Sequence, residues 1–343
     1  MGGEEPRLFP ARFLCSEGRG MAREEIDASA IQVEATGPVP GWGWTETALS
    51  LMVLVWGLNF AVAKHALGQF EPLAFNAIRF CIASVFVFAV LLAQGELTWP
   101  DPEDVLRMVG LGLLGNVLYQ GCFVLGLART PAGSASLILA VSPVMTALLS
   151  ALAGHERPGW RTWIGAAVAI GGVALITGTG ISLGSRREAV GNLILVFAAA
   201  AWAAYTVSAR PMVRKYGSVR TTAWTMWVGT VGLVLLGSPA LARQDWGRVT
   251  PLGWGSLAFS AVFAIGLAYL IWYRGVERIG NTRTAIFGNL TPVVAMVAAA
   301  VLLHEKPSHW ALLGAALTLG GVMIVRSDPG HATVRHATAA AEA

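Results

Sequence analysis

From Thr47 onward, long apolar runs alternate with short breaks that gather the charged residues, proline and glycine. The runs are about 17–25 residues long, the length a helix needs to cross roughly 30 Å of hydrocarbon. They predict ten spans, over residues 47–63, 72–93, 105–127, 132–153 and 160–178, then 190–209, 221–241, 252–273, 284–303 and 310–325. Residues 1–46 lack the pattern. They are polar and dotted with glycine and proline, and are expected to be a disordered cytoplasmic tail. No apolar stretch before a small-residue cleavage site opens the chain, which argues against a cleaved signal peptide. Residues 326–343 are expected to be a second cytoplasmic tail.

The pattern is written twice. Residues 143–176 lie over residues 292–325 at a fixed offset of 149 without a gap, and 12 of the 34 positions are identical. Pro143 meets Pro292, the pair His155 and Glu156 meets His304 and Glu305, and Gly171, Gly172 and Val173 meet Gly320, Gly321 and Val322. The chain is therefore a duplication, with one repeat over residues 47–178 and the other over 190–325. Five spans is an odd number, so the second copy enters the membrane from the opposite side. The expected fold is all-α and integral to the membrane: ten helices in two inverted repeats, related by a pseudo-two-fold axis in the membrane plane.

Composition agrees. Hydrophobic residues make up 55% of the 343 and charged residues 13%, with a mean hydropathy of +0.60. A soluble domain carries about 25% charged residues, so this chain has too few to cover a wet surface. The net charge of +4 comes with no Lys/Arg cluster of nucleic-acid density. Placing the N-terminus inside puts twelve Lys/Arg in inner loops and the C-terminal tail against seven in outer loops, before the four arginines of the N-terminal tail are added. That imbalance predicts both termini in the cytoplasm. Cys15, Cys81 and Cys122 show no paired spacing, so neither a disulfide framework nor a zinc site is expected. No cofactor is expected.

These features together resemble the drug/metabolite transporter superfamily, of the EamA type. The resemblance rests on the doubled five-helix pattern, on Trp56, Gly57, Leu58, Asn59 and Phe60 in the first span, and on Ala77, Ile78, Arg79 and Phe80 in the second. The paired prolines, the Glu156 and Glu305 turns and the Gly-Gly-Val ends complete it, and it covers nearly everything but the tails. It implies movement of small metabolites across a bacterial inner membrane, usually export, through a central cavity between the halves. Small multidrug exporters of the superfamily use a glutamate in the first helix for proton exchange. This chain has no Asp or Glu deep in any span, which argues against proton-coupled efflux of cationic drugs.

Arg79 is the most informative residue. A charge seven residues into an apolar helix costs roughly 2.5–3.5 kcal/mol on insertion scales. It is either a cavity-facing cation for a carboxylate or phosphate, or an arginine that snorkels or satisfies carbonyls at a helix contact. The second repeat does not copy it; Thr225 or Val228 stands there. Asn59 needs a partner in mid-helix, either cargo or a neighbouring helix. Asn116, Tyr119 and Gln120 form a polar stripe in the third span, and Tyr269, Trp272 and Tyr273 recur at the same spacings in the eighth, with Tyr269 at the 149 offset of Gln120. Trp56 and its counterpart Tyr205 are candidates for the cavity wall, with packing as the alternative. Asn289 precedes Pro292 as Ser142 precedes Pro143, where proline frees a carbonyl. The His-Glu pairs are read as helix-terminal charges rather than metal ligands.

The function expected is transport of small polar metabolites such as amino acids or their derivatives. The expected partners are a small-molecule substrate and membrane lipid, with no nucleic acid; a homodimer stays open. The alternatives are a nucleotide-sugar or phosphorylated-metabolite antiporter, in which Lys64 and Arg79 share an anion, and a membrane enzyme on lipid-linked substrates. The enzyme reading lacks the acidic or histidine cluster, or the nucleotide motif, that it requires.

Overall fold

The structure, a computed structural model, describes residues 43–95, 97–152, 159–182, 186–272, 274–275, 287–288 and 290–327, with backbone alone at 177–182, 218 and 326. Every regular element among these residues is helical. The first half holds α1 (Trp44–Ala66), α2 (Pro72–Gln94), α3 (Pro102–Leu127), α4 (Ala132–Leu152) and α5 (Trp160–Ser182). The second holds α6 (Arg186–Tyr216), α7 (Ser218–Arg243), α8 (Pro251–Trp272), α9 (Thr291–Leu302) and α10 (His309–Arg326). Seven of these described helices, α1–α4 and α6–α8, are long and apolar enough to cross a bilayer. The other three contribute the shorter apolar stretches Trp160–Ile176, Thr291–Leu302 and His309–Val325.

Local chemistry sets the ends. Pro72, Pro102 and Pro251 open α2, α3 and α8, where a missing N–H has no intrahelical acceptor to lose. Thr250 and Ser308 cap α8 and α10, each accepting a backbone N–H at 3.1 Å, from Gly253 and Ala311. Gly217 alone separates α6 from α7 and sits at φ 82, a left-handed conformation that favours glycine. α6 runs well past the expected end at residue 209, because Pro211 removes one donor but does not stop the helix.

Three helices are irregular, two of them at matched places. α4 breaks between Leu139 and Ser142, where Pro143 cannot donate to the Leu139 carbonyl. The Ser142 hydroxyl donates to that oxygen at 2.7 Å, so the carbonyl freed by Pro143 is satisfied within the chain. α3 and α8 each contain a wide π-helical segment, at Leu113–Leu118 and Ser260–Leu267. Adding 149 to the first range gives 262–267, so both halves carry the same distortion.

The halves interlock. α1 packs on α8 and α9, and its counterpart α6 packs on α3 and α4. α2 packs on α7, α4 on α9 and α5 on α10. Exchanging each helix with its partner five places away leaves this set unchanged, as a two-fold relation requires. The α5–α10 seam shows the axis directly. A Cβ placed on Gly165 would come 2.6 Å from the Gly321 carbonyl oxygen, and one on Gly314 would come 2.8 Å from that of Gly172. Gly165 corresponds to Gly314 and Gly172 to Gly321, so each contact is the image of the other. The partner number falls as the first rises, so the two helices cross antiparallel, as inverted repeats demand.

Candidate functional site

Arg79 lies in the third turn of α2 and is 1% exposed. Its Nη2 donates to Asn76 Oδ1 and to Gln120 Oε1, each at 2.7 Å, and its Nη1 donates to Ser260 Oγ at 3.2 Å. The rings of Phe75, Phe123 and Phe80 surround the guanidinium carbon at 5.3, 5.6 and 5.8 Å from their centroids. Among the described residues no carboxylate pairs with it. Two donors stay unsatisfied in this buried place, Arg79 Nε and Asn76 Nδ2. A buried polar group without a partner is uncommon and asks for an explanation.

The two π-helical segments aim these partners. Ser260 opens the segment in α8, and Gln120 follows shortly after the one in α3. The wider turn re-aims the side chains beside it, a distortion often found at functional sites. Asn76 sits one turn before Arg79 on the same helix face.

Two aromatic groups flank the arginine and share one contact that is repeated in both halves. Trp56 packs on Trp272 (5.5 Å) and meets Tyr269 edge-on (6.3 Å), and its indole N–H donates to the Ala264 carbonyl at 2.9 Å. On the other side Tyr119 packs on Trp202 (4.9 Å), Trp202 on Tyr205 (5.6 Å), and the Tyr205 ring lies over Gly115. Trp56 and Ala264 map to Tyr205 and Gly115 at the offset of 149. Tyr119 and Tyr269 are electrostatic neighbours of Arg79, one from each group.

The remaining candidates divide. Asn59 is 8% exposed and its Oδ1 has no hydrogen-bond partner among the described residues. Asn116 faces α7, where its side chain packs against Gly229. Tyr205 is anchored by a 3.2 Å bond between its hydroxyl and that of Thr225. Asn289 lies outside the described residues, as do His155 and Glu156.

Lys64 is at the end of α1, away from Arg79, and its Nζ donates to the carbonyls of Leu127 (2.6 Å) and Thr130 (2.7 Å) at the end of α3. Glu305 binds the start of α4 in the other half, accepting from Ala132 N (2.8 Å) and Gly133 N (3.1 Å). Its place in the sequence, shortly before Pro307, points to the helix that follows it. The structure gives it to a different helix N-terminus, by the same dipole logic.

The match to known families settles the class. The chain matches the EamA-like transporter family over residues 43–178 and again over residues 189–327. The chain belongs to the EamA-like transporter family. This transporter is 30% identical over 280 residues to a protein of Streptantibioticus cattleyicolor named a probable terminal-alkyne amino-acid exporter, covering 81% of this chain and 92% of that one. It is 29% identical over 278 residues to an uncharacterized transporter of Archaeoglobus fulgidus, covering 81% and 96%. One crystal structure of a protein aligns with a TM-score of 0.56 at 21% identity, covering 81% and 96%, a likeness of fold alone. The family and these named relatives are transporters rather than enzymes, and the protein is a multi-pass membrane transporter of small molecules.

Of the candidates the sequence singles out, the structure brings Gln120 onto Arg79, with Tyr119 and Tyr269 near it and Trp56 and Trp272 packed by Tyr269. Sequence reasoning missed Asn76 and Ser260. Asn76 carried a signal, since it precedes Arg79 by three residues. Ser260 carried none, because its place beside Arg79 depends on how α8 meets α2.

Proposed function

We propose that this transporter exports amino acids or close derivatives across a bacterial inner membrane, with Arg79 as the anchor for the cargo carboxylate. The observation that carries the reading is a fully buried guanidinium that has, among the described residues, no acid beside it and two unsatisfied donors, Arg79 Nε and Asn76 Nδ2. A carboxylate accepts from both kinds of donor and supplies the missing negative charge. The two aromatic groups give an apolar wall for a side chain. The exporter named among the relatives agrees with this cargo class.

Alternating access between the two inverted halves, residues 47–178 and 190–325, is the proposed mode. The arginine and lysine imbalance supports an orientation with both tails, residues 1–46 and 326–343, in the cytoplasm. A cysteine at Lys306 should then react with an impermeant thiol reagent added outside the cell.

The phosphorylated-metabolite reading is the weaker one. It needs Lys64 to share an anion with Arg79, whereas Lys64 is held by two carbonyls at the end of α3.

Counterflow in proteoliposomes tests the cargo class. Vesicles are loaded with unlabelled L-leucine, L-propargylglycine, leucine methyl ester, a nucleotide sugar or an organic cation, and uptake of the labelled form of each is followed. The free acids should be carried and the methyl ester should not. Carriage of ester and acid alike, or of the nucleotide sugar alone, overturns the reading.

A further inference from the structure

A carrier that binds an anion on a buried cation must also return through its closed form after the anion has left. A guanidinium shut away from water with no oxygen around it would block that step, because an unpaired buried charge is strongly unfavourable. Such a carrier can turn over only when cargo is bound in both directions. It is then an obligatory exchanger.

Arg79 does not meet this obstacle. It is 1% exposed, and its two terminal nitrogens are bonded to Asn76 Oδ1, Gln120 Oε1 and Ser260 Oγ, all oxygens of the chain itself. The faces of Phe75, Phe80 and Phe123 add to the support. Closure over Arg79 thus leaves its Nε without an oxygen among the described residues but needs no anion from outside to partner its two terminal nitrogens. The partners come from α2, α3 and α8, so they span both halves and assemble where the halves meet. All three oxygens are neutral. A carboxylate binds a guanidinium more strongly than they do, so an arriving cargo displaces them, and they recapture the arginine when it leaves.

We propose that Asn76, Gln120 and Ser260 stand in for the cargo anion, so that this transporter returns without cargo and works by net flux rather than by obligatory exchange. The proposal rests on Arg79 as the cargo anchor, and not on which carboxylate is carried.

The test compares two efflux rates in proteoliposomes loaded with radiolabelled L-leucine or L-propargylglycine. One is into buffer alone and the other into buffer with the unlabelled amino acid. The wild type should release label at comparable rates in both. Gln120→Leu should lower release into buffer more than release by exchange, so that the ratio of the two falls on the order of tenfold, the scale of one lost hydrogen bond to a charged group. Because the ratio is taken within one preparation, poor folding of the variant does not imitate the result.

Wild-type efflux that occurs only with amino acid outside overturns the proposal and leaves Arg79 as the anchor. Exchange by Arg79→Ala equal to wild type removes the anchor and the proposal together. Should neither amino acid be carried, closure is read directly in vesicles without added solute. One cysteine pair replaces Glu71 and Gln244 at one end, where a 2.6 Å bond joins them. A second pair replaces Asp101 and Tyr216 at the other end, where the bond is 3.1 Å. With the native cysteines removed, a short thiol cross-linker should join both pairs in the same chain. Cross-linking of one end at a time overturns the proposal.

Discussion

Arg79 concentrates the chemistry of this protein because a charge in the bilayer interior must be given partners by something. Three side chains within one turn or one contact of it are those partners. Its own helix supplies Asn76, α3 supplies Gln120 and α8 supplies Ser260. The sequence singles out Gln120, because an amide inside an apolar run stands out against its surroundings, and Asn76 carries the same signal without being picked out. A serine does not stand out, since a hydroxyl in a membrane helix usually satisfies itself on its own backbone, as Ser142 does on Leu139.

A second charged group lies at the opposite end from Lys64, where Lys215 reaches Asp101 at 2.7 Å and Asp104 at 2.6 Å, and the Tyr216 hydroxyl donates to Asp104. The hydrogen bond from Lys215 holds the Asp101 carboxyl below its ordinary range. A carboxyl depressed in the folded protein stabilises it above the ordinary aspartate value. That contribution fades as the pH falls through the lower folded value. The part of the thermal midpoint that depends on this clasp should be flat at neutral pH and fall only below about pH 4. Comparing wild type with Asp101→Asn across that range checks it, and a difference that vanishes at neutral pH contradicts it.

Among the elements, the α5–α10 pair is a contact between halves in which glycine lets backbone approach backbone. A Cβ on Gly172 would come 2.6 Å from the Gly314 carbonyl oxygen, which is backbone and cannot swing aside. Gly172→Leu should destabilise the protein by about 1–3 kcal/mol or more, the scale of overpacking, read as a lower thermal midpoint in detergent. A midpoint equal to wild type would mean the seam is looser than its geometry. The all-helical membrane architecture is legible in the sequence, because bilayer thickness imposes a run length that few other folds require. The irregularities of its helices are less so. The break in α4 could be anticipated from Pro143, whereas nothing in residues 113–118 or 260–267 announces a π-helical turn, which depends on what packs against it. The reach of α6 past Pro211 was also hidden, since a proline near the end of a helix can either stop it or be absorbed.

At the scale of the whole molecule, the duplication at an offset of 149 already implied two inverted halves. The structure adds how they combine. Each half gives its first helix to the third and fourth helices of the other, through α1 on α8 and α9 and through α6 on α3 and α4. The halves are therefore interlocked rather than side by side. Pairing between repeats could not be read from sequence, because an apolar helix face does not name its partner. The near-symmetry also frames the exception: Trp56 has its image in Tyr205 and Ala264 in Gly115, but Arg79 has none, since Val228 or Thr225 stands in its place. A single cation on a two-fold scaffold is what one cargo anion requires.

The most direct measurement of that claim is amino-acid counterflow by wild type and Arg79→Ala, reconstituted side by side at equal, verified insertion. The account predicts that the variant loses at least about tenfold in apparent affinity, the loss of roughly 1.5–3 kcal/mol that follows removal of hydrogen bonds to a charge. The same variant should carry leucine methyl ester no worse than wild type does. Unchanged counterflow of the free acid, in a variant that remains folded and inserted, would contradict the account and make Arg79 a packing residue of α2.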